Sequence, residues 1–279
     1  MHFADTALDT LRAWLDREPA VLVSVQSTQG SAPREAGTWM AVFADRVLGT
    51  IGGGHIEHEA IALARAALAG APVPAPRRFA LGPSLGQCCG GVMHLGVERV
   101  AAVEAEALVA RLAAEHDARR MPVALFGGGH VGRAIVRALE PLPVRVHWID
   151  SREEVFPAVL PLNVRCEHSD PVQAAVATLE PGSRVLIMSF SHAEDLDILR
   201  ACLQRRRERA DLPYVGLIGS KSKWATFRHR LEARGHGAAE RDAVTCPIGV
   251  PDVIGKEPEV LAVAVAAQLM QQRERASSG

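Results

Sequence analysis

The sequence predicts an α/β protein built as a small N-terminal α+β domain followed by a Rossmann-like, doubly wound parallel-sheet domain. Three observations predict it. First, 279 residues suit two compact units at roughly 150 residues each. Second, strand-length apolar runs alternate with helix-like stretches after residue 119, the order that gives a parallel sheet covered on both faces. Third, a Gly-x-Gly-x-x-Gly run follows the first of those strands and opens a helix. A composition of 48% hydrophobic and 23% charged residues is that of an ordinary globular chain and excludes a disordered or fibrous one.

The elements follow in order. A short helix is expected over 5–17, strands near 20–26, 38–43 and 47–51, a helix over 55–69, and strands near 77–81 and 91–97. The stretch AGAPVPAP at 69–76 reads as a loop, because proline cannot continue the preceding helix. Residues 98–119 place apolar and charged positions at helical spacing and end before Pro122. The domains are therefore expected at 1–119 and 120–279. In the second, VALF at 123, VRVHWI at 144, VLIMSF at 185 and YVGLI at 214 read as strands. RAIVRALE, PVQAAVATLE, EDLDILRACLQRRRE and SKWATFRHRLEA read as helices, and EPEVLAVAVAAQLM as a last one.

Charge excludes some partners. Thirty-one Lys and Arg against 32 Asp and Glu leave a net charge of −1, which supplies no field to hold a nucleic acid. The run Arg205, Arg206, Arg207 is broken by Glu208 and reads as a solvated helix end. No apolar run approaches the roughly 20 residues of a membrane span. With Asp5, Asp9 and Asp16 near the start there is no signal-peptide pattern, so a cytoplasmic chain with reduced cysteines is expected.

The fingerprint in the second domain is VALFGGGHVG, with Gly127, Gly129 and Gly132 in register. The first glycine allows the tight turn, the second lets the backbone approach a pyrophosphate, and the third allows close helix packing. Asp150 ends the next strand, 23 positions after Gly127, near the offset at which an acid bonds a ribose hydroxyl. Arg152 offers a partner for a 2′-phosphate instead, which leaves NAD against NADP open. The alternative is that these glycines only shape a turn. Farther on, Lys221 or Lys223 after Gly219 and Ser220 is placed to meet a phosphate or carboxylate, and Cys246 in CPIGVP suits packing as well as chemistry. His192 in SFSHAED is either a proton carrier or an N-cap neighbour of Ser191.

The first domain holds a second glycine triplet, Gly52, Gly53 and Gly54, before a helix. It can offer backbone N–H groups to an anion but lacks the ending of an ATP-binding phosphate loop. Arg34 would add charge-assisted bonds to that anion, or else pair with Glu35 or solvent. His55, Glu57 and His58 resemble metal ligands by composition, yet His55 and Glu57 point apart on a helix. Zinc is disfavoured. Cys88 and Cys89 lie between glycines in GQCCGG. They suit a soft metal or sulfur chemistry, a plain reduced pair, or a strained vicinal disulfide.

Taken in order, GSAPREAG at 30–37, IGGGHIE at 51–57, GQCCGG at 86–91, LFGGGHVG at 125–132, WIDSR at 148–152, FP at 156–157, GLIGSKSK at 216–223 and CPIG at 246–249 span nearly the whole chain. On these motifs the chain resembles the XdhC/CoxI accessory proteins of molybdenum hydroxylases, its xanthine dehydrogenase branch above all. Gly127-Gly128-Gly129 stands where many relatives have Gly-Ala-Gly, which leaves the fingerprint intact. The resemblance implies a carrier and chaperone, not a xanthine-oxidising enzyme. It implies binding of the molybdenum cofactor (molybdopterin), protection of that cofactor while a cysteine desulfurase partner supports its sulfuration, and insertion into apo xanthine dehydrogenase. Under it, Gly52, Gly53, Gly54, His55, Arg34, Cys88 and Cys89 are expected at the molybdenum cofactor, while the fingerprint itself places Gly127, Gly129, Gly132, Asp150 and Arg152 at a dinucleotide, NAD or NADP. A homodimer is compatible with that role. The rival reading is an NAD(P)-dependent oxidoreductase. Against it, Tyr214 is followed by Ile218, not by the lysine of a Tyr-x-x-x-Lys pair. A third reading, a structural adaptor between dehydrogenase and desulfurase, would bind partners but no pterin.

Overall fold

The computed structural model describes residues 3–81 and 90–277; Cys88 and Cys89 lie outside the described residues. The chain divides into two compact units, Met1–Arg119 and Arg120–Gly279.

The first unit is built on an antiparallel sheet in the order β3-β2-β1-β5-β4. Its strands are β1 (Ala20–Gln29), β2 (Trp39–Val42), β3 (Val47–Gly49), β4 (Arg77–Ala80) and β5 (Val92–Val100). Central β1 is apolar at consecutive positions because both faces are covered. Val21, Val23 and Val25 point to α2 (Gly54–Leu68) and its Ile56, Ala60, Ala64 and Ala67. Ala20 and Leu22 face Leu8, Leu11 and Leu15 of α1 (Phe3–Leu15) and Leu108 and Leu112 of α3 (Ala105–Ala118). The i, i+3, i+7 spacing of the α1 leucines is that of a helix with one buried face. The expected helix over 98–119 is shorter than its periodicity suggested. Glu98 and Val100 pair with Leu22 and Ala20, so residues 98–100 finish β5, and α3 begins at Ala105. Ladder hydrogen bonds to β1 outweigh a helical pattern that starts in the middle of a strand.

The second unit is a six-stranded parallel sheet in the order β11-β10-β9-β6-β7-β8. The strands are β6 (Met121–Phe126), β7 (Val144–Asp150), β8 (Val164–His168), β9 (Arg184–Ile187), β10 (Tyr214–Leu217) and β11 (Val244–Thr245). Helices α4 (His130–Leu139) and α8 (Pro258–Ser277) cover one face; α5 (His192–Arg209) and α6 (Lys221–Glu232) cover the other, and short α7 (Ala238–Asp242) precedes β11. Period-two alternation sorts β6 between them, with Val123 and Leu125 to the first face and Ala124 and Phe126 to the second. The order reverses at β6, the switch point at which such sheets bind ligands.

Two expectations are corrected here, and one strand is added. PVQAAVATLE forms a 3-10 helix over Val172–Thr178, which lays Val172, Ala175 and Val176 on the core. VRCEH, unassigned from the sequence, is edge strand β8, in register with β7 from Val146↔Val164 to Asp150↔His168. Arg205 is not solvated: it is 5% exposed, pairs with Asp211 at 2.7 and 2.9 Å and donates to the Val176 and Leu179 carbonyls. Its face of α5 is decided by the 3-10 turn above it, which a charge count does not reveal. Among the described residues no helix is long and apolar enough to cross a membrane.

Candidate functional site

In the first unit, three of the motif segments converge at one end of the sheet. Gly52, Gly53 and Gly54 have φ of 123°, 78° and 70°, a run of positive φ that only glycine sustains. A Cβ at Gly52 would stand 2.8 Å from Pro33 and 3.4 Å from Arg34 Cγ, so the 30–37 loop lies directly on the glycine turn. Gly91 donates its N–H to the Ser31 carbonyl at 3.1 Å and accepts from Leu81 N–H at 2.8 Å. A Cβ there would stand 2.4 Å from the Gln29 and Ser31 carbonyl oxygens. Arg34 and His55 are exposed at this end, with His55 Nε2 4.0 Å from Glu59.

The anion of this glycine turn is the chain's own. Glu57 Oε2 accepts from Thr50 Oγ1 at 2.5 Å and from the N–H groups of Ile51 and Gly53 at 3.0 Å, while Gly52 N–H donates to Thr50 Oγ1 at 3.1 Å. Burial pushes the Glu57 carboxyl up, but the bonds from Thr50 and from the backbone of Gly53, Ile51 and Gly52 together hold it below its usual value. The Gly52 and Gly53 amides, expected to face a bound anion, are thus already satisfied. Glu57 falls in the first turn of α2, where a carboxylate satisfies orphan N–H groups. That position was the sequence signal for this role. Among the described residues no three His, Cys, Asp or Glu side chains group closely enough to hold a metal ion.

In the second unit the fingerprint glycines are fixed by contact. Gly127 has φ 127°, and a Cβ there would stand 2.0 Å from the Met188 carbonyl; one at Gly132 would stand 2.0 Å from the Gly127 carbonyl. That same Gly127 oxygen accepts from the Trp148 indole at 2.9 Å, and Trp148 meets Phe156 edge to face at 5.4 Å. Gly129 is exposed, and a Cβ there would meet nothing within 4 Å. Gly128 is sealed, with Val155 Cγ2 2.3 Å from the place a Cβ would take.

Asp150 is 2% exposed and its oxygens are full. Oδ1 accepts the Arg152 backbone N–H and Nε, both at 2.9 Å. Oδ2 accepts Gly128 N–H at 2.5 Å and an Arg152 Nη at 3.0 Å. Four donors match the roughly four lone-pair sites of a carboxylate. Burial raises the Asp150 pKa, and the bonds from Arg152 and Gly128 bring it below the usual carboxylate value. This acid, expected at a ribose, ties the glycine turn to the end of β7. Arg152 is held by it and also lies 4.4 Å above the Phe190 ring, an aromatic that remains 67% exposed. Sequence reading passed over Phe190, since nothing in SFSHAED says which strand end it will meet.

Of the other side chains proposed from the sequence, Ser191, Lys223 and Cys246 are engaged by the fold itself. Ser191 caps α5 by accepting Glu194 N–H at 3.2 Å, and His192 is exposed, edge-on to Phe227 at 6.3 Å. Lys223 is not available to a ligand phosphate: Nζ donates to Asp195 Oδ2 at 2.5 Å and to the Ile218 carbonyl at 2.9 Å. Lys221, by contrast, is exposed. Cys246 packs on the core, and burial pushes its thiol up to about 11. Tyr214 donates to Gln268 at 2.6 Å, which fastens β10 to α8.

Comparison with known proteins places this architecture. The uncharacterized protein YqeB of Escherichia coli (strain K12) is 24% identical over 268 residues, covering 94% of this chain and 45% of that protein. The chain thus spans about half the length of that curated relative. A crystal structure described as a xanthine dehydrogenase from Bacillus halodurans superposes with a TM-score of 0.72 at 18% identity, covering 99% of this chain and 96% of the other; at that identity the likeness shows the shared fold. Residues 13–79 match the XdhC and CoxI family, and residues 123–269, more than half of the chain, match the XdhC Rossmann domain. The chain therefore belongs to the XdhC and CoxI family.

Proposed function

We propose that the chain is an accessory protein of xanthine dehydrogenase maturation that binds the molybdenum cofactor through its first unit, protects it, supports its sulfuration by a cysteine desulfurase and inserts it into apo xanthine dehydrogenase. Family membership supports the accessory role. The observation that carries the rest is the convergence of the 30–37 loop, the Gly52–Gly54 turn and Gly90–Gly91 at one end of the first sheet, with Cys88 and Cys89 immediately before Gly90 in the sequence.

The residues fit that cofactor with one change of role. Glu57 fills the turn, so Gly52 and Gly53 shape the site and the phosphate falls to Arg34 and His55, both exposed. The open face of Gly53, where a Cβ would meet nothing within 4 Å, leaves room for a bulky ring system. When bound, the cofactor supplies the molybdenum centre and its dithiolene; Cys88 or Cys89 supplies a soft ligand or a sulfur acceptor. For the second unit the proposed ligand is NAD(P), cradled by Gly127, Gly129 and Gly132, on the strength of the strand order and the reversal at β6.

The test is to co-express the chain with a source of molybdenum cofactor and measure molybdenum and pterin in the purified protein. Both are expected in near-equal amounts with the chain. Arg34→Ala should lower retention about tenfold, the factor that a loss of ~1.4 kcal/mol represents. Wild-type protein free of pterin would overturn the carrier reading in favour of an adaptor, and undiminished retention in both Cys88→Ala and Cys89→Ala would remove the thiols from it.

A further inference from the structure

The second sheet carries a feature that neither its fold nor its family assigns. β6 lies between β7 and β9, so side chains from the ends of those two strands are separated by two strand spacings of about 4.8 Å. They nevertheless touch. Arg152, two residues past β7, stacks on Phe190, three past β9, at 4.4 Å. Ser151 Oγ donates to Glu194 Oε1 at 2.8 Å, and the Phe190 N–H donates to the other oxygen of the same carboxylate at 3.2 Å. One glutamate therefore clasps both sides, and the pair of bridges passes over the end of β6 where the Gly127–Gly129 turn sits. A pyrophosphate lying on that turn would run along the same line.

We propose that the Arg152–Phe190 stack is a latch across the switch point of the second sheet, and that the ligand it admits is a dinucleotide bearing a 2′-phosphate. The proposal rests on the NAD(P) reading of this unit. Phe190 is the movable half. It is two-thirds exposed and held by one guanidinium face, whereas Arg152 is fixed to the saturated, buried Asp150 by its backbone and by two guanidinium nitrogens. When Phe190 swings out, the face it leaves on Arg152 accepts a purine ring by the same cation–π and stacking contact. Asp150, with four donors, has no acceptor left for a free ribose 2′-hydroxyl. A 2′-phosphate instead meets the outward edge of Arg152 through charge-assisted bonds. The site thereby selects NADP over NAD.

The experiment measures NADPH and NADH binding by nicotinamide fluorescence to the full chain, to Phe190→Ala and to Arg152→Ala, together with hydrogen exchange at the amides of residues 128–130. In Phe190→Ala the Gly129 and His130 amides should exchange faster and NADPH should bind about tenfold tighter than to wild type, the step of one decade in Kd. Wild type and Phe190→Ala should prefer NADPH to NADH, and Arg152→Ala should lose that preference. Unchanged exchange, or equal NADPH affinity with and without Phe190, overturns the latch while leaving the dinucleotide reading intact. Faster exchange in Phe190→Ala with no binding of either nucleotide by any of the three proteins overturns the dinucleotide reading and, with it, the assigned ligand. Equal affinity for NADPH and NADH in Phe190→Ala overturns the 2′-phosphate preference.

Discussion

Two glycine turns in this chain are each completed by an acidic side chain from nearby. Glu57 fills the turn of the first unit and Asp150 that of the second, so at both places residue identity is dictated by backbone N–H groups that need an acceptor. The Glu57 carboxyl sits below its ordinary value of 4.5 in the fold. Its stabilisation is therefore fully present above that pH and is lost as pH falls through the lower folded value. Glu57→Gln should lower the urea midpoint at pH 7 by an amount equivalent to ~1 kcal/mol, and the gap from wild type should close as titration proceeds below pH 4.5. A gap of constant size down to pH 3 would show that the charge plays no part. At Gly127 the constraint is steric and conformational together. Gly127→Ala would force a Cβ to within 2.0 Å of the Met188 carbonyl at φ 127°, and a loss of ~3 kcal/mol or more is expected in chemical denaturation. Retention of wild-type stability would mean that the turn repacks.

Elements are set by their ends as much as by their faces. Ser191 and Ser220 each accept the N–H three residues on, which starts α5 and α6 where the strands before them end. Ser191→Ala should cost ~1 kcal/mol in thermal or urea unfolding. The far end of α5 depends on Arg205, whose guanidinium satisfies Asp211 and two carbonyls of the 3-10 turn. Arg205→Ala leaves Asp211 and those carbonyls unpaired, and a loss of ~3–5 kcal/mol is expected, measured as a shift in unfolding midpoint. A surface arginine would give a loss below ~1 kcal/mol, the result that the charge pattern alone anticipated. Helix and strand runs such as β6, β7 and α4 were legible because one period fits each. Residues 98–100 and 172–178 were not, because a neighbouring strand or a packed turn overrode the local period there.

At the scale of the whole molecule, each unit has its own sheet and its own apolar cores. Residues 120–279 produced alone should accordingly unfold in a single cooperative urea transition, followed by circular dichroism; a broad, non-cooperative loss of signal would count against an independent core. The amino-acid sequence by itself determined the fold class, the reversal-bearing parallel sheet, the positions of both glycine turns and the family, since all of these follow from local periods, glycine spacing and motif order. Only the tertiary structure decided what those turns hold. Whether an N–H faces a ligand or the chain's own carboxylate, and whether Arg152 meets solvent or Phe190, depends on side chains brought in from separate elements to contact distance, and linear spacing carries no information about such an encounter.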